Sequence, residues 1–313
     1  MFTKTITEVD STVSSRADTR SGGLAAWLRA LRPEQWLKNG FVLSPLVFSG
    51  RALVWDAQWH AMVAFGAFCA VASAVYLMND VIDQEADRQH PRKATRPVAS
   101  GAISPRSALI VAVVLGIAGV TAGAATGAGV AAILLLYLAL NVLYGMWLKH
   151  VVIVDVFAIA AFFIMRLLAG AFAVNVAPSI WLLLCGGLLA LYLGFAKRRH
   201  ELVLLRGGSH SHRAVLAKYN TPFLDQLSVV LLSVTVVSYI MYTLESETSQ
   251  LVGNDALTYS TAFVLYGVLR YLYLVHRNAD SNPTETLLTD RPLMAVVVLW
   301  GLYCGIVIYT ARP

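Results

Sequence analysis

Long apolar runs separated by short polar segments fill the chain from about residue 40 to the C-terminus. Nine of these runs approach the roughly 20 residues that a helix needs to cross the hydrocarbon core of a bilayer. The first is the weakest, because it is short and is interrupted by Pro45 and Gly50. This pattern predicts an all-α polytopic membrane protein with nine transmembrane helices, near 40–56, 60–79, 104–124, 128–148, 151–173, 179–197, 223–244, 257–276 and 291–310.

The segment before the first apolar run has a different character. Residues 1–23 are rich in Ser, Thr and Arg, which predicts a disordered tail. Residues 24–37 predict a helix in the membrane interface, anchored by apolar side chains such as Trp27 and Trp36. We therefore expect a single membrane domain over 24–313.

The composition supports a membrane protein. The chain is 58% hydrophobic and 13% charged, whereas a soluble domain carries roughly 25% charged residues. Its mean hydropathy is +0.65. Cys69, Cys185 and Cys304 each lie inside an apolar run and are interpreted as small buried side chains. These features exclude an ordinary soluble enzyme, a disordered chain and a disulfide scaffold.

The distribution of basic residues predicts the orientation in the membrane. With the N-terminus in the cytoplasm, most of the 24 Lys and Arg residues fall in inside segments, and only Arg51 and Arg312 fall in outside ones. This asymmetry follows the positive-inside rule. It predicts an inner-membrane protein whose polar, functional side faces the cytoplasm. The net charge of +6 is therefore explained by topology and does not indicate nucleic-acid binding.

An acidic motif follows the second apolar run. If that helix continues, Asp80, Asp83 and Asp87 fall within an arc of about 60°, with Asn79 at its border. Like charges on one face repel unless a cation lies among them, and oxygen ligands without Cys or His suit Mg²⁺. The motif predicts a Mg²⁺ site formed by these four residues. The alternative is a solvated acidic helix end.

Cations flank this motif in the sequence. A diphosphate is well held by a metal on one side and by Lys or Arg on the other. Simple positive-inside charge and an interfacial anchor are the alternatives. The candidate substrate-binding residues on this basis are Arg32, Gln35, Lys38, Asn39, Lys93 and Arg96.

The pattern Asn79-Asp80-x-x-Asp83-x-x-x-Asp87, followed by Arg96-Pro97, resembles the first motif of the UbiA superfamily of intramembrane prenyltransferases. The resemblance extends over residues from about 30 to 310. It implies bound Mg²⁺ and a nine-helix bundle whose central cavity faces the cytoplasm and opens laterally to lipid.

The chain departs from most of that superfamily after the sixth run. Members that transfer a prenyl group carry a second aspartate-rich motif there, whereas this chain has Lys197-Arg198-Arg199-His200-Glu201. Together with Lys149 and the segment 282–292, this variant resembles the phosphoribosyltransferase branch. That resemblance implies transfer of 5-phosphoribose from phosphoribosyl diphosphate (PRPP) to a polyprenyl phosphate such as decaprenyl phosphate, for cell-envelope polysaccharide synthesis.

The resemblance also implies roles for individual residues. Asp80 and Asp83 would act with the metal, Lys38, Lys93 and Arg96 on the leaving diphosphate, Lys197 and Arg198 on the 5-phosphate, and Glu201 on a ribose hydroxyl. An ion pair between Lys197 and Glu201, four residues apart, is the plainer interpretation of that pair. The sequence leaves a homo-oligomer open.

Three further residues are candidates for substrate contact: Tyr144, Lys149 and Arg166. Tyr144 is equally interpretable as a packing residue. Arg166 lies midway along the fifth run, where an unpaired cation is costly. Asp155 is 11 residues away, about 16 Å along a straight helix, so the two cannot pair directly within one helix.

Two other functions remain open at this point. One is a prenyltransferase that moves an isoprenoid from its diphosphate to an aromatic acceptor, which shares the first motif. The other is a small-solute transporter, although a transporter commonly places charge at the membrane midplane and often shows two matched halves.

Overall fold

The computed structural model describes residues 23–91, 93–206, 216–245, 255–277 and 289–310, and the regular structure in these ranges is helical, without strands. The predicted tail lies outside the described residues except for Gly23, and so does most of the segment 282–292.

Eleven α-helices follow one another along the described chain. A 3₁₀ segment, Pro33–Leu43, separates the first two, and Ser104 and Asn220 cap α5 and α9 by accepting hydrogen bonds from backbone N–H groups. The helices are α1 Leu24–Leu31, α2 Ser44–Phe48, α3 Trp55–Ile82, α4 Gln84–Arg88, α5 Pro105–Thr126, α6 Ala128–Met146, α7 Val154–Ala173, α8 Ile180–Arg206, α9 Thr221–Leu244, α10 Thr261–Arg277 and α11 Arg291–Thr310.

Seven of these helices are long and apolar enough to cross a membrane, namely α3, α5, α6, α7, α8, α9 and α11. The expectation of an all-α membrane protein is therefore confirmed. The apolar run predicted at 257–276 forms a 3₁₀ turn and then α10, which has 17 residues.

The first predicted apolar run, 40–56, does not form one continuous helix. It comprises the end of the 3₁₀ segment, the five-residue α2 and a turn at Gly50, where φ is +67°. Pro45 offers no backbone N–H, and glycine adopts a positive φ readily. The chain therefore folds as short pieces against α7.

Close backbone contact fixes that arrangement. A Cβ atom on Gly170 of α7 would overlap the backbone carbonyl oxygen of Val42. Only glycine lets the 3₁₀ segment approach α7 this closely, and small residues serve the same purpose at helix contacts in membranes generally.

Two clusters of buried side chains hold the bundle together. One lies among α3, α5, α6 and α7 and includes Phe68 and Tyr137. The other lies among α8, α9, α10 and α11 and includes Tyr192 and Tyr271. Helices α7 and α8 join the two, with Gly194 of α8 packed against Val156.

The expectation that three aspartates share one helical face is wrong. Helix α3 ends at Ile82, the chain turns at Asp83, and the short α4 begins at Gln84. The side chain of Gln84 donates to the carbonyl of Val98, which fastens the turn to the following loop. As a result Asp80 and Asp87 are buried, whereas Asp83 is exposed.

Candidate active site

Two buried carboxylates and three cations form an acidic cluster at the end of α3. The Nη1 atom of Arg96 lies 2.6 Å from Oδ2 of Asp87 and 3.3 Å from Oδ1 of Asp80, so that it joins the two acids. Arg32 donates to Oδ1 of Asp80 at 2.5 Å, and Nζ of Lys93 lies 3.9 Å from Asp87. The predicted acidic and basic motifs therefore meet in space.

Arg32 has an unusual local setting. Its backbone has a φ of +53° between α1 and the 3₁₀ segment. Its guanidinium lies 4.9 Å from the centroid of the Tyr76 ring, a cation–π contact. Sequence reasoning missed Tyr76 because it lies inside an apolar run. The available signal was its position four residues before Asp80, on the same face of α3.

The acidic cluster fits a divalent cation. The Oδ2 atom of Asp80 is buried and has no hydrogen-bond partner, and an unsatisfied buried carboxylate oxygen is costly. Mg²⁺ commonly takes one or two protein carboxylates together with substrate phosphates. Asp80 and Asp87 supply such a pair.

The predicted four-residue metal set is not gathered in one place. Within the described ranges, no group of three or more His, Cys, Asp and Glu side chains is close enough to hold a metal ion. Asn79 and Asp83 are exposed at the helix end. Asn79 directly precedes Asp80 on α3 and so points about 100° away from it, and the break after Ile82 turns Asp83 away from the face of Asp80.

Arg166 of α7 is a buried cation next to the 3₁₀ segment. It donates from Nε to Oδ1 of Asn39 at 2.8 Å and from Nη1 to the Phe162 carbonyl at 2.6 Å. The rings of Phe68 and Tyr137 lie 5.1 and 5.3 Å from its guanidinium. In the described ranges no carboxylate pairs with it. Dipoles and aromatic rings alone therefore hold this positive charge.

Lys38 lies beside Asn39 and points to the same region. Its Nζ donates to Oε1 of Gln35 at 2.7 Å. Partial burial lowers the pKa of Lys38, and the positive charges of Lys197 and Arg166 lower it further. Three cations from three elements thus act on a common space, which favours a bound anion.

A second polar cluster surrounds Arg198 of α8. Its Nε lies 2.8 Å from Oδ2 of Asp155, and its Nη1 lies 2.7 Å from Oε2 of Glu201. Tyr219 donates to the other oxygen of Asp155 at 3.2 Å. Asp155 is thus the partner of Arg198 and not of Arg166.

This cluster changes the interpretation of two predicted residues. Arg198 is only 1% exposed, and two carboxylates balance its charge, so it does not face a substrate phosphate. Glu201 forms its ion pair with Arg198, where the plainer interpretation of the sequence paired it with Lys197. Lys197 is exposed, one helical turn before Glu201 on α8.

The remaining candidates lie at the same end of the bundle. Tyr144 is half-buried, packs edge-on against Phe162 at 5.9 Å and is close to Arg198. Lys149 is half-buried on the 3₁₀ turn that follows α6. Their positions are compatible with both packing and substrate contact.

An apolar cavity of about 430 Å³ begins near the cations. Phe41 and Phe163, whose ring centroids are 4.3 Å apart, line it three residues from Lys38 and Arg166, respectively. From there it extends between α8, α9, α10 and α11, with Leu167, Leu232, Tyr239 and Trp300 among its lining residues. A molecule with an anionic head and a hydrocarbon chain matches this junction.

Comparison with known proteins gives consistent results. The chain is 30% identical over 292 residues to the decaprenyl-phosphate phosphoribosyltransferase of Mycolicibacterium smegmatis, covering 90% of this chain and 92% of the relative. It is also 30% identical over 283 residues to the protein of the same name from Mycobacterium tuberculosis, covering 88% and 92%.

The fold has a counterpart among solved structures, a UbiA homologue from Archaeoglobus fulgidus bound to DMAPP and Mg²⁺. The two share 18% identity and a TM-score of 0.67, over 90% of this chain and 99% of that one. Residues 42–289 match the model of the UbiA prenyltransferase family. With similarity along nearly its whole length, the chain belongs to the UbiA prenyltransferase family.

Proposed function

We propose that this protein transfers 5-phosphoribose from PRPP to decaprenyl phosphate and releases diphosphate. The observation that carries this proposal is the group in the C-terminal half of α8, where exposed Lys197 lies one helical turn before a carboxylate, Glu201, that is held by Arg198. A cation beside a fixed carboxylate suits a phosphorylated sugar. The names of the relatives with 30% identity support the same reaction.

The acidic cluster would bind the diphosphate end of PRPP. Asp80 and Asp87, with Asp83 at the exposed helix end, would hold Mg²⁺, which neutralises charge on a departing diphosphate. Arg96 and Lys93 are partly exposed and already lie beside the carboxylates. They can therefore form charge-assisted hydrogen bonds with diphosphate oxygens without a large rearrangement.

The acceptor requires no catalytic base. A phosphate monoester has a second pKa of about 6 and is largely dianionic at neutral pH. We reassign Lys38 from the leaving diphosphate to this headgroup, because its charge acts together with that of Arg166. Lys38 and Arg166 would attract the headgroup next to the reacting carbon of the ribose.

The apolar cavity would hold the part of the isoprenoid chain nearest the phosphate. Removing each CH₂ group from water is favourable by roughly 0.8 kcal/mol, so several buried carbons position the headgroup firmly. The rest of the decaprenyl chain would stay in the bilayer. The product would serve as a precursor for cell-envelope polysaccharide.

We further propose nine membrane elements. They are the seven long helices, α10, and the segment 40–56, which comprises the end of the 3₁₀ segment, α2 and the turn after it. The N-terminus and the polar site would face the cytoplasm from the inner membrane. Single cysteines at Ser100 and Asp56, in a variant without native cysteines, test this orientation. A membrane-impermeant maleimide should label Asp56→Cys in intact cells, and Ser100→Cys only after permeabilisation.

The reaction is tested with purified protein in lipid nanodiscs. Decaprenyl phosphate, Mg²⁺ and PRPP labelled in the ribose should yield a labelled lipid and diphosphate. A parallel reaction contains labelled geranyl diphosphate and an aromatic acceptor. Label transfer in the second reaction alone would overturn the proposal in favour of prenyl transfer.

A further inference from the structure

We propose that Tyr219, Asp155 and Arg198 form a buried relay whose role is to position Glu201 for recognition of a sugar hydroxyl. This inference rests on the proposed function, because it assumes that the donor is a pentose phosphate. Tyr219, Asp155 and Arg198 are positioning residues, since they act through Glu201.

The hydrogen bonds of the relay are continuous. Both carboxylate oxygens of Asp155 accept hydrogen bonds. Oδ2 accepts from the Nε of Arg198 at 2.8 Å, and Oδ1 accepts from the hydroxyl of Tyr219 at 3.2 Å. The Nη1 atom of Arg198 then donates to Oε2 of Glu201 at 2.7 Å. Each member thus fixes the orientation of the next.

Burial and charge show that Glu201 is the member of the group that a ligand can reach. Asp155 is fully buried and Arg198 is 1% exposed, whereas the side chain of Glu201 is 26% exposed. One guanidinium serves two carboxylates, so the group carries a net negative charge. This charge is accessible only at Glu201, whose Oε1 makes no hydrogen bond to the described part of the chain.

The outer end of the relay is anchored by the backbone before α7. Ile153 has a φ of +69°, which is unfavourable for a β-branched residue, and its N–H donates to the Tyr219 hydroxyl at 2.6 Å. The Tyr219 ring packs against Phe195 and Phe223. Burial raises the pKa of Tyr219 to about 12. The hydroxyl therefore keeps the proton that it donates to Asp155.

A carboxylate held in this way suits a ligand with a hydroxyl group on a five-membered sugar ring. A site that hydrogen-bonds a hydroxyl strongly rejects an analogue that lacks it, because the polar group of the site is then left unpaired. The relay would therefore contribute to selection of ribose over a deoxyribose donor.

A double-mutant cycle tests this relay in the ribosyl-lipid assay. Tyr219→Phe should raise the KM for PRPP about tenfold, the effect expected when a hydrogen bond to a charged group is lost. The KM for decaprenyl phosphate should change less than about twofold. In a Glu201→Gln background, Tyr219→Phe should have no further effect, because the group that it positions has already been altered.

The ion pair Arg199–Asp225 is the matched control, since Arg199 follows Arg198 on α8 but pairs with α9 outside the relay. Asp225→Asn should lower thermal stability without raising the KM for PRPP, and its effects should add to those of Glu201→Gln. If Tyr219→Phe fails to fold, Arg198→Lys replaces it in the cycle, because it keeps the charge but loses the two-pronged geometry.

Additive effects of Tyr219→Phe and Glu201→Gln, or an equal rise in both KM values, would overturn the relay while the proposed function stands. A wild-type protein that forms no ribosyl lipid would overturn the proposed function and this inference with it.

Discussion

The Nε atom of Arg166 donates a 2.8 Å hydrogen bond to Oδ1 of Asn39, across 127 residues of sequence. This bond joins the middle of α7 to the 3₁₀ segment and places a buried cation next to Lys38. Because no carboxylate pairs with Arg166 among the described residues, its charge remains available to attract an anion.

Asn39→Asp tests this role because it changes charge with little change in shape. The new carboxylate should pair with Arg166 and raise thermal stability. It should also lower kcat/KM for decaprenyl phosphate by more than about tenfold, since it cancels the attraction for the phosphate. Asn220→Asp, at the exposed cap of α9, is the control and should change neither. Near-normal kcat/KM in Asn39→Asp would argue against an anion next to Arg166.

Gly170→Ala should displace the 3₁₀ segment from α7, because the added methyl group overlaps the carbonyl of Val42. Overpacking of this kind costs about 1–3 kcal/mol. We expect a lower midpoint of thermal unfolding in detergent and reduced transfer activity. Gly66→Ala is the control, as a Cβ atom there meets nothing within 4 Å. Equal stability of the two variants would contradict the close approach.

Filling the apolar cavity should discriminate between acceptors of different chain length. Gly267 lines the cavity, and a Cβ atom on it is in ordinary contact with Val296, so a Phe side chain would extend into the empty space. Gly267 is on α10, away from the Phe41 end of the cavity where the phosphate would lie. Gly267→Phe should therefore raise the KM for decaprenyl phosphate about tenfold or more, and a prenyl phosphate too short to reach α10 should be affected less. Gly66→Phe, on the exposed side of α3, should behave as wild type. An equal effect on both acceptors would place the chain elsewhere.

Asp83→Ala should reduce kcat at least about 100-fold if Asp83 supports the metal. Its exposure means that the midpoint of thermal unfolding should barely change. Asp56→Ala, which removes an exposed acid at the other end of α3, is the control and should retain full activity. The transfer rate of each variant is measured as a function of Mg²⁺ concentration. Full activity of Asp83→Ala would restrict the metal site to Asp80 and Asp87.

The alkaline limb of the pH–rate profile should reflect the loss of the proton from Lys38. Partial burial, Lys197 and Arg166 place the pKa of Lys38 below its ordinary value of 10.5. The positive charge is therefore lost at a lower pH than in an ordinary lysine, and kcat/KM for decaprenyl phosphate should fall there. Lys38→Arg keeps its charge above pH 12 and should move this decline to higher pH. If Lys38→Arg leaves the profile unchanged, a group other than Lys38 causes the decline.

The hydrophobic pattern determined the helical membrane class and the positions of most helices, because about 20 consecutive apolar residues have few other stable arrangements. The spacing of Asp80, Asp83 and Asp87 also predicted an acidic group at the end of α3. The break after Ile82 was not visible in that spacing, since the turn is held by a hydrogen bond from Gln84 to Val98, 14 residues later.

The sequence by itself determined which residue types occur at each helix end, and through the basic residues it predicted which ends share a side of the membrane. Only the tertiary structure decided the pairings: Arg166 with Asn39, Asp155 with Arg198, and the Lys38 region with an apolar cavity. The physical reason is that a buried charge takes the partner that packing brings within about 3 Å. That partner lies on another helix, at a separation that no local periodicity records.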